Sequence, residues 1–295
     1  MAINKKVVTI STLGALFVAT GTLYHASKMM SDTFMKRKNN EDNSSNEPNG
    51  VNVLQIRNRD GETLNGYYFD NEASTTMIIL HPYGLKAIDM VVYVDFFRNI
   101  YHCNFLLVDV YGHGKSDGDI YRLGGKDQVD LIDWVTYLDQ HFDGNIILFG
   151  KEMGANIILN ATNELNQFDQ IKLILSEGAY TNVKDILSYR LEHDYYITRF
   201  PFVMLMRRII KRKYGIDINT LNSVEAVKNS QIPILFIHTK QDRRVPLKQV
   251  FPLYNKARCK KELFILKDEK ELYELDETKQ LEYTQLKTFI NECLK

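Results

Sequence analysis

Residues 145–156, NIILFGKEMGAN, join an apolar run to a turn flanked by two glycines, and the residue between those glycines decides which chemistry is open to the chain. In the pattern Gly-x-Ser-x-Gly a strand turns sharply into a helix, the glycines make room for the turn, and a serine hydroxyl stands above the sheet as a nucleophile for acyl transfer. Here Gly150 and Gly154 hold the outer positions and Glu152 the centre. Ester or amide cleavage through an acyl intermediate also needs a base that takes the nucleophile's proton and passes it to the leaving group. The histidines are His25, His81, His102, His113, His141, His193 and His238, so none lies beyond residue 238.

The elements that must position such a site follow from the hydrophobic pattern. Short apolar runs alternate with longer helical ones from Val51 onward, as in a sheet with crossover helices. Strands are expected at 51–57, 63–69, 76–81, 104–110, 145–149, 171–177, 232–238 and 262–266, and helices near 87–100, 126–140, 153–165, 247–258 and 278–293. MIILH, FLLVDV, NIILFG and PILFIH are apolar almost throughout, as strands covered on both faces must be. The first two strands read as an antiparallel entry. Helical, aromatic and basic sequence at about 181–229 interrupts the alternation between the sixth and seventh strands, where a lid would be inserted.

With 295 residues, 44% hydrophobic, there is material for one large α/β domain at 51–295. Lys plus Arg equals Asp plus Glu at 37 each, which removes the electrostatic argument for a nucleic-acid partner. Cys103, Cys259 and Cys293 are odd in number, lie far apart and form no CxxC pair, which argues against a disulfide framework or a zinc site. No cofactor and no resident metal are expected.

The N-terminus differs in kind. After a basic flank at 1–6, Val7 to Tyr24 carries no charge, with Lys5 and Lys6 before it and Lys28 after it. About 20 residues at 1.5 Å each cross a bilayer core, so 7–27 reads as a single-pass transmembrane signal anchor in the cell membrane. The competing reading is a cleaved secretory signal, with Ala19 and Gly21 as the small pair at the cut. Lys36, Arg37 and Lys38 compete with the leading lysines in setting orientation, and an extracytoplasmic domain is expected. Residues 28–50, ending in the polar stretch NNEDNSSNEPNG, read as a flexible tether.

Four segments, in this order and spacing, carry a resemblance. They are MIILHPYG (77–84), DVYGHGKSDGD (109–119), GKEMGA (150–155) and FIHTKQDRRVP (236–246). From about 51 to 293 the chain resembles the α/β-hydrolase superfamily, especially bacterial membrane-anchored members of its serine-aminopeptidase-like group. The resemblance implies an eight-stranded, mostly parallel sheet flanked by helices, with a helical lid between the sixth and seventh strands. It places Asp242 at the triad acid, where the competing reading is a solvated loop aspartate, and Glu152 at the nucleophile. The backbone N–H groups of Tyr83 and Met153 fall at the oxyanion hole. Pro82 stands where such proteins usually have glycine, which stiffens that loop. The histidine loop reads KDEKELYEL (267–275), so Lys270 or Glu271 fills the histidine slot. His81, His113 and His238 match structural histidines that fix loops, and His193 is the one substitute base in view.

Several arrangements of Glu152 remain open. Its carboxylate could fold into the old oxyanion hole at a helix N-terminus, where anions are stabilised. It could join Lys270 and Asp242 in an ion cluster, or converge with Glu271 and Asp242 on a metal ion, or the 267–275 loop could swing out into water. Relatives that attack through an aspartate keep a histidine to hydrolyse the ester, and glutamate is a methylene longer than the attack geometry allows. The basic stretch Thr198 to Ile216 reads either as an ordinary lid helix or as an amphipathic helix on anionic lipid. Two functions follow: a membrane-anchored, catalytically inactive protein that binds a small ligand or a partner protein, or an esterase or peptidase with a non-standard site.

Overall fold

A computed structural model describes residues 5–37, 50–267, 271–275 and 280–294, with the side chains of 5–19 and 280–281 outside the description. The eight strands are β1 (Asn52–Arg57), β2 (Thr63–Phe69), β3 (Thr75–Leu80), β4 (Asn104–Val108), β5 (Asn145–Lys151), β6 (Ile171–Glu177), β7 (Ile234–Thr239) and β8 (Lys261–Leu266). They form one sheet in the order β1-β2-β4-β3-β5-β6-β7-β8. β2 pairs antiparallel with both β1 and β4, and every other pair is parallel. The mostly parallel sheet with an antiparallel entry is as the sequence predicts.

Period-two alternation divides the strand side chains between two layers. Ile78, Leu80, Leu106, Val108 and Leu148 face a core with Leu131, Trp134, Ile157, Ile158, Val250 and Leu253. Met77, Ile79, Leu107, Ile147 and Phe149 face the other core, with Tyr93, Phe97, Leu286, Phe289 and Ile290. The helices supplying these layers are α2 (Val91–Arg98), α3 (Asp127–His141), α4 (Met153–Asn160), α9 (Val250–Lys256) and α10 (Gln280–Leu294), preceded by α1 (Lys5–Met35). The short α5 (Thr162–Leu165) follows α4. Between β6 and β7 come α6 (Val183–Asp194), α7 (Arg199–Tyr214) and α8 (Ser223–Ala226).

The described part of the expected tether, residues 28–37, forms the end of α1 and the two residues after it, and it packs on the domain. Met35 is fully buried, and its carbonyl accepts the Tyr121 N–H at 2.7 Å. The Arg37 guanidinium donates to the carbonyls of Gly114, Ser116 and Gly118. These contacts are non-local, so a polar composition alone could not announce them. Residues 38–49 lie outside the described residues, as do most side chains of the expected anchor at 7–27. Among the described residues no helix is long and apolar enough to cross a membrane.

A buried charge cluster ties the β1–β2 turn to the start of α3. Asp130 accepts from Asn58 Nδ2 at 2.8 Å and Arg122 at 3.0 Å, while Arg122 also reaches Glu62 and lies over the Tyr111 ring. Asp127 accepts the Gly124 N–H at 2.8 Å, and its other oxygen is unpartnered. Burial first, then the charge of Asp130, pushes the Asp127 carboxyl up to about 7, and burial pushes Asp130 up to about 6. A carboxyl whose pKa rises on folding binds its proton more tightly in the native state, so its contribution to stability falls as pH climbs from about 4 towards those values. Asp127→Asn is therefore expected to raise the urea midpoint at pH 8 and to flatten the stability profile between pH 4 and 7. An unchanged slope in urea titrations across that range counts against this cluster as its source.

Candidate functional site

The sharp corner after β5 is set by packing. A Cβ on Gly154 would stand 2.3 Å from the Leu80 carbonyl oxygen, and one on Gly150 would stand 2.5 Å from the Ala155 nitrogen. Helix α4 can therefore cross the ends of β3 and β5 only with glycine at both places. Between them Glu152 is held at φ 48° and ψ −110°, with its N–H donating to the Glu177 carbonyl at 2.9 Å. A non-glycine residue in such a conformation carries strain on the order of 1–3 kcal/mol. The corner thus retains a nucleophile-presenting backbone with a carboxylate at its tip.

Glu152 is 7% exposed, and its Oε1 lies 3.2 Å from Arg244 Nε. Burial raises its pKa, against the pull of Arg244 and Lys151. Its side chain does not cap α4, and among the described residues no hydrogen bond reaches it from the N–H of Tyr83 or Met153. Of the arrangements left open by the sequence, filling of the oxyanion hole is not the one observed: the guanidinium offers full charge where the helix end offers only partial charge.

Asp242 sits in the turn after β7. Its Oδ1 accepts the N–H groups of Arg244 at 2.7 Å and Val245 at 2.8 Å, which locks the turn. The imidazole beside it is His238, 3.8 Å from Oδ2, but His238 Nε2 makes its hydrogen bond to the Val245 carbonyl at 2.8 Å. Burial lowers the pKa of His238 and keeps it neutral. His81 is likewise engaged with the backbone of Pro82 and Val110, and His113 with Tyr111 and Gly84. His193 is exposed near the end of α6, where it stacks on Tyr189 and bonds that residue's carbonyl.

The loop read as the histidine slot is docked through an ion cluster that sequence reasoning missed. Lys151, inside the glycine-flanked turn, donates to Glu177 Oε1 at 3.2 Å and to Glu271 Oε2. The Leu272 N–H also donates to Glu177 Oε1, at 3.0 Å. The two carboxylates hold Lys151 above the usual ammonium range despite its burial, and burial raises the Glu271 carboxyl. Loop 271–275 therefore docks on the site, with Lys151 as a cation of the cluster, and Lys270 lies outside the described residues. Glu152, Asp242 and Glu271 do line one cavity, of about 530 Å³, together with Lys151 and Arg244. Among the described residues no group of three or more His, Cys, Asp or Glu is arranged to hold a metal ion.

Behind Glu152 lies a mostly apolar cavity of about 80 Å³. Its walls include Tyr83, Met153, Leu187 and Val245. Phe34, from the end of α1, is part of the same wall, and its carbonyl accepts the Tyr83 hydroxyl at 3.0 Å. No serine, threonine, cysteine or histidine is among the described residues lining either cavity. Lys151 and Arg244 were legible only as members of their motifs, and Glu177 only as the end of a strand.

Lys151 and Glu177 are 12% and 1% exposed, so removing one partner strands a buried charge. Lys151→Met is expected to destabilise the protein by about 3–5 kcal/mol. Adding Glu177→Gln should recover a large part of that loss, as measured by urea unfolding of the four members of the cycle.

No protein-family model matches the chain. An uncharacterized protein, YqkD, from Bacillus subtilis (strain 168) is 25% identical over 278 residues, 89% of each chain. Protein bem46 of Schizosaccharomyces pombe is 23% identical over 218 residues, 72% of this chain and 67% of that one. Among solved structures, the Pyrococcus furiosus esterase Pf2001 aligns with a TM-score of 0.67 at 19% identity, covering 83% of this chain and 92% of its own. Est1E from Butyrivibrio proteoclasticus, with ferulic acid bound, aligns with a TM-score of 0.60 at 19% identity, covering 81% and 98%.

Proposed function

The chain has the α/β-hydrolase fold, and on that premise we propose that it is a membrane-anchored binding protein that holds a small ligand in the former substrate cavity without cleaving it. The observation that carries this reading is the make-up of the cavity walls around Glu152, which offer no serine, threonine or cysteine nucleophile and no imidazole among the described residues. Attack by the Glu152 carboxylate would leave an ester or anhydride at the elbow with no imidazole to activate water against it, and the nearby carboxylates Asp242 and Glu271 are held by backbone N–H groups and by Lys151. Arg244 further lowers the nucleophilicity of that carboxylate by pairing with it. The cavity behind it is preformed and largely apolar with charged groups on one side, the usual character of a small-molecule site. Anchoring is supported by the charge-free run from Val7 to Tyr24, which leads directly into the docked end of α1.

The competing reading, a working hydrolase, has the esterases among the structural neighbours in its favour. The two separate by experiment. The purified full chain is expected to give no labelling with a fluorophosphonate probe and no turnover of short-chain nitrophenyl esters, while native mass spectrometry finds a retained small molecule. Leu187→Trp, which fills the apolar cavity, should remove that molecule. Ester turnover that disappears in Glu152→Ala would overturn the binding-protein reading.

A further inference from the structure

The apolar side chains left exposed are unevenly distributed. Of the eleven large hydrophobics exposed among the described residues, Tyr195, Tyr196, Phe200 and Met204 fall within ten positions, and Tyr24 and Met29 lie on α1. Tyr196 is 90% exposed and Phe200 75%. The opposite face of α7 is already satisfied, since Phe202, Val203 and Met206 are buried against Leu23, Ala26 and Met30 of α1. An ordinary cover over the pocket needs only that inner face, so the outer aromatic tip calls for another environment.

The relation between the two helices sets the level at which the tip sits. Asp32 of α1 accepts from Lys213 Nζ and from the Tyr214 hydroxyl, both at 2.6 Å, near the end of α7. Nine residues earlier, Leu23 still packs among residues near the start of α7, so the helices run side by side in the same direction. At about 1.5 Å per residue, Tyr24 lies roughly 12 Å back from the Asp32 level and Phe200 roughly 20 Å back. Phe200, at the kinked start of α7, therefore stands beside the last turns of the charge-free run that ends at Tyr24, while Tyr195 sets its ring edge-on to Phe34 nearer the docked end of α1. Aromatic rings concentrate at that depth, where acyl chains meet headgroups.

The charge pattern agrees. Met204, Arg208 and Arg212 share one outer stripe of α7 at four-residue spacing and are all exposed. Arg207 and Lys211 are held by Asp217, whereas Arg208 and Arg212 have no acidic partner among the described residues. An apolar tip followed by free guanidinium groups matches acyl chains followed by lipid phosphates.

We propose that the tip at residues 196–204, with Phe200 at its point, dips into the same lipid leaflet that the N-terminal segment enters, as a second membrane contact that fixes the orientation of the domain. This rests on the anchor reading and is independent of whether the site catalyses. The single native tryptophan, Trp134, is 1% exposed in the core and supplies a shielded baseline. The test reconstitutes the full chain into phosphatidylcholine and phosphatidylglycerol vesicles carrying brominated acyl chains. Tryptophan is introduced by Phe200→Trp, by Tyr196→Trp, or by Phe251→Trp as a remote exposed control on α9. The expected result is that the first two lose most of their added emission and the third keeps it, with stronger quenching in anionic than in zwitterionic vesicles. Protein that floats with the vesicles but shows equal emission at all three sites overturns the tip contact and leaves the anchor standing. A tip covered by a second copy of the chain gives that same unquenched result. Protein that does not float overturns both.

Discussion

The passage of α4 across the ends of β3 and β5 leaves no space for a side chain at Gly150 or Gly154, and the rest of the site is a consequence of that closeness. The chain can make the crossing only by turning within one residue, which forces Glu152 to positive φ and aims it away from the sheet. Whatever occupies position 152 is delivered to the boundary between an apolar cavity and a polar one. The fold therefore presents residue 152 irrespective of its chemistry. Catalysis in such a scaffold is a property of the groups that meet there and not of the turn itself.

With a carboxylate at the tip, the surroundings must supply positive charge. Glu152, Glu177, Asp242 and Glu271 all lie near the ends of β5, β6, β7 and β8, and each is answered separately. Arg244 pairs with Glu152, Lys151 bridges Glu177 and Glu271, and backbone N–H groups hold Asp242. Each of these partners is short of freedom once it is engaged. Where a hydrolase sets an imidazole between an acid and a hydroxyl, the described residues at this corner form ion pairs. Pairing of buried charges of this kind does not add much net stability over an apolar core, but breaking one pair is costly, so the cluster acts chiefly to hold loop 271–275 in place.

Much of this architecture was legible in the sequence because it is local or periodic. Strands such as Met77–Leu80 and Ile146–Phe149 announce themselves as apolar runs, and their observed limits fall within two residues of those read from the pattern. The corner at Glu152 follows from an apolar run joined to two glycines at the right spacing. The ion cluster was not legible, because Lys151 and Glu271 are 120 positions apart and nothing in either neighbourhood names the other. Position 271 was one of two alternatives for the histidine slot. Its real partner, Lys151, was hidden by standing one residue before the substituted nucleophile, where attention goes to the centre of the motif. The docked end of α1 was obscured for a different reason, since its polar side chains are engaged with backbone carbonyls that no sequence pattern marks.

That docked end couples the N-terminal helix to the cavity through a short physical path. Asp32 ties α1 to the end of α7, Phe34 walls the apolar cavity, and the Phe34 carbonyl holds the hydroxyl of Tyr83. Arg37 then clasps the loop at 114–118, and His113 just before it accepts the Gly84 N–H beside Tyr83. A shift of α1 relative to the domain would have to break several of these bonds before the cavity wall could remain intact. The helix that leads toward the N-terminus is for this reason a structural component of the cavity and not a passive tether. A domain cut at residue 51 would lack one wall of its own cavity.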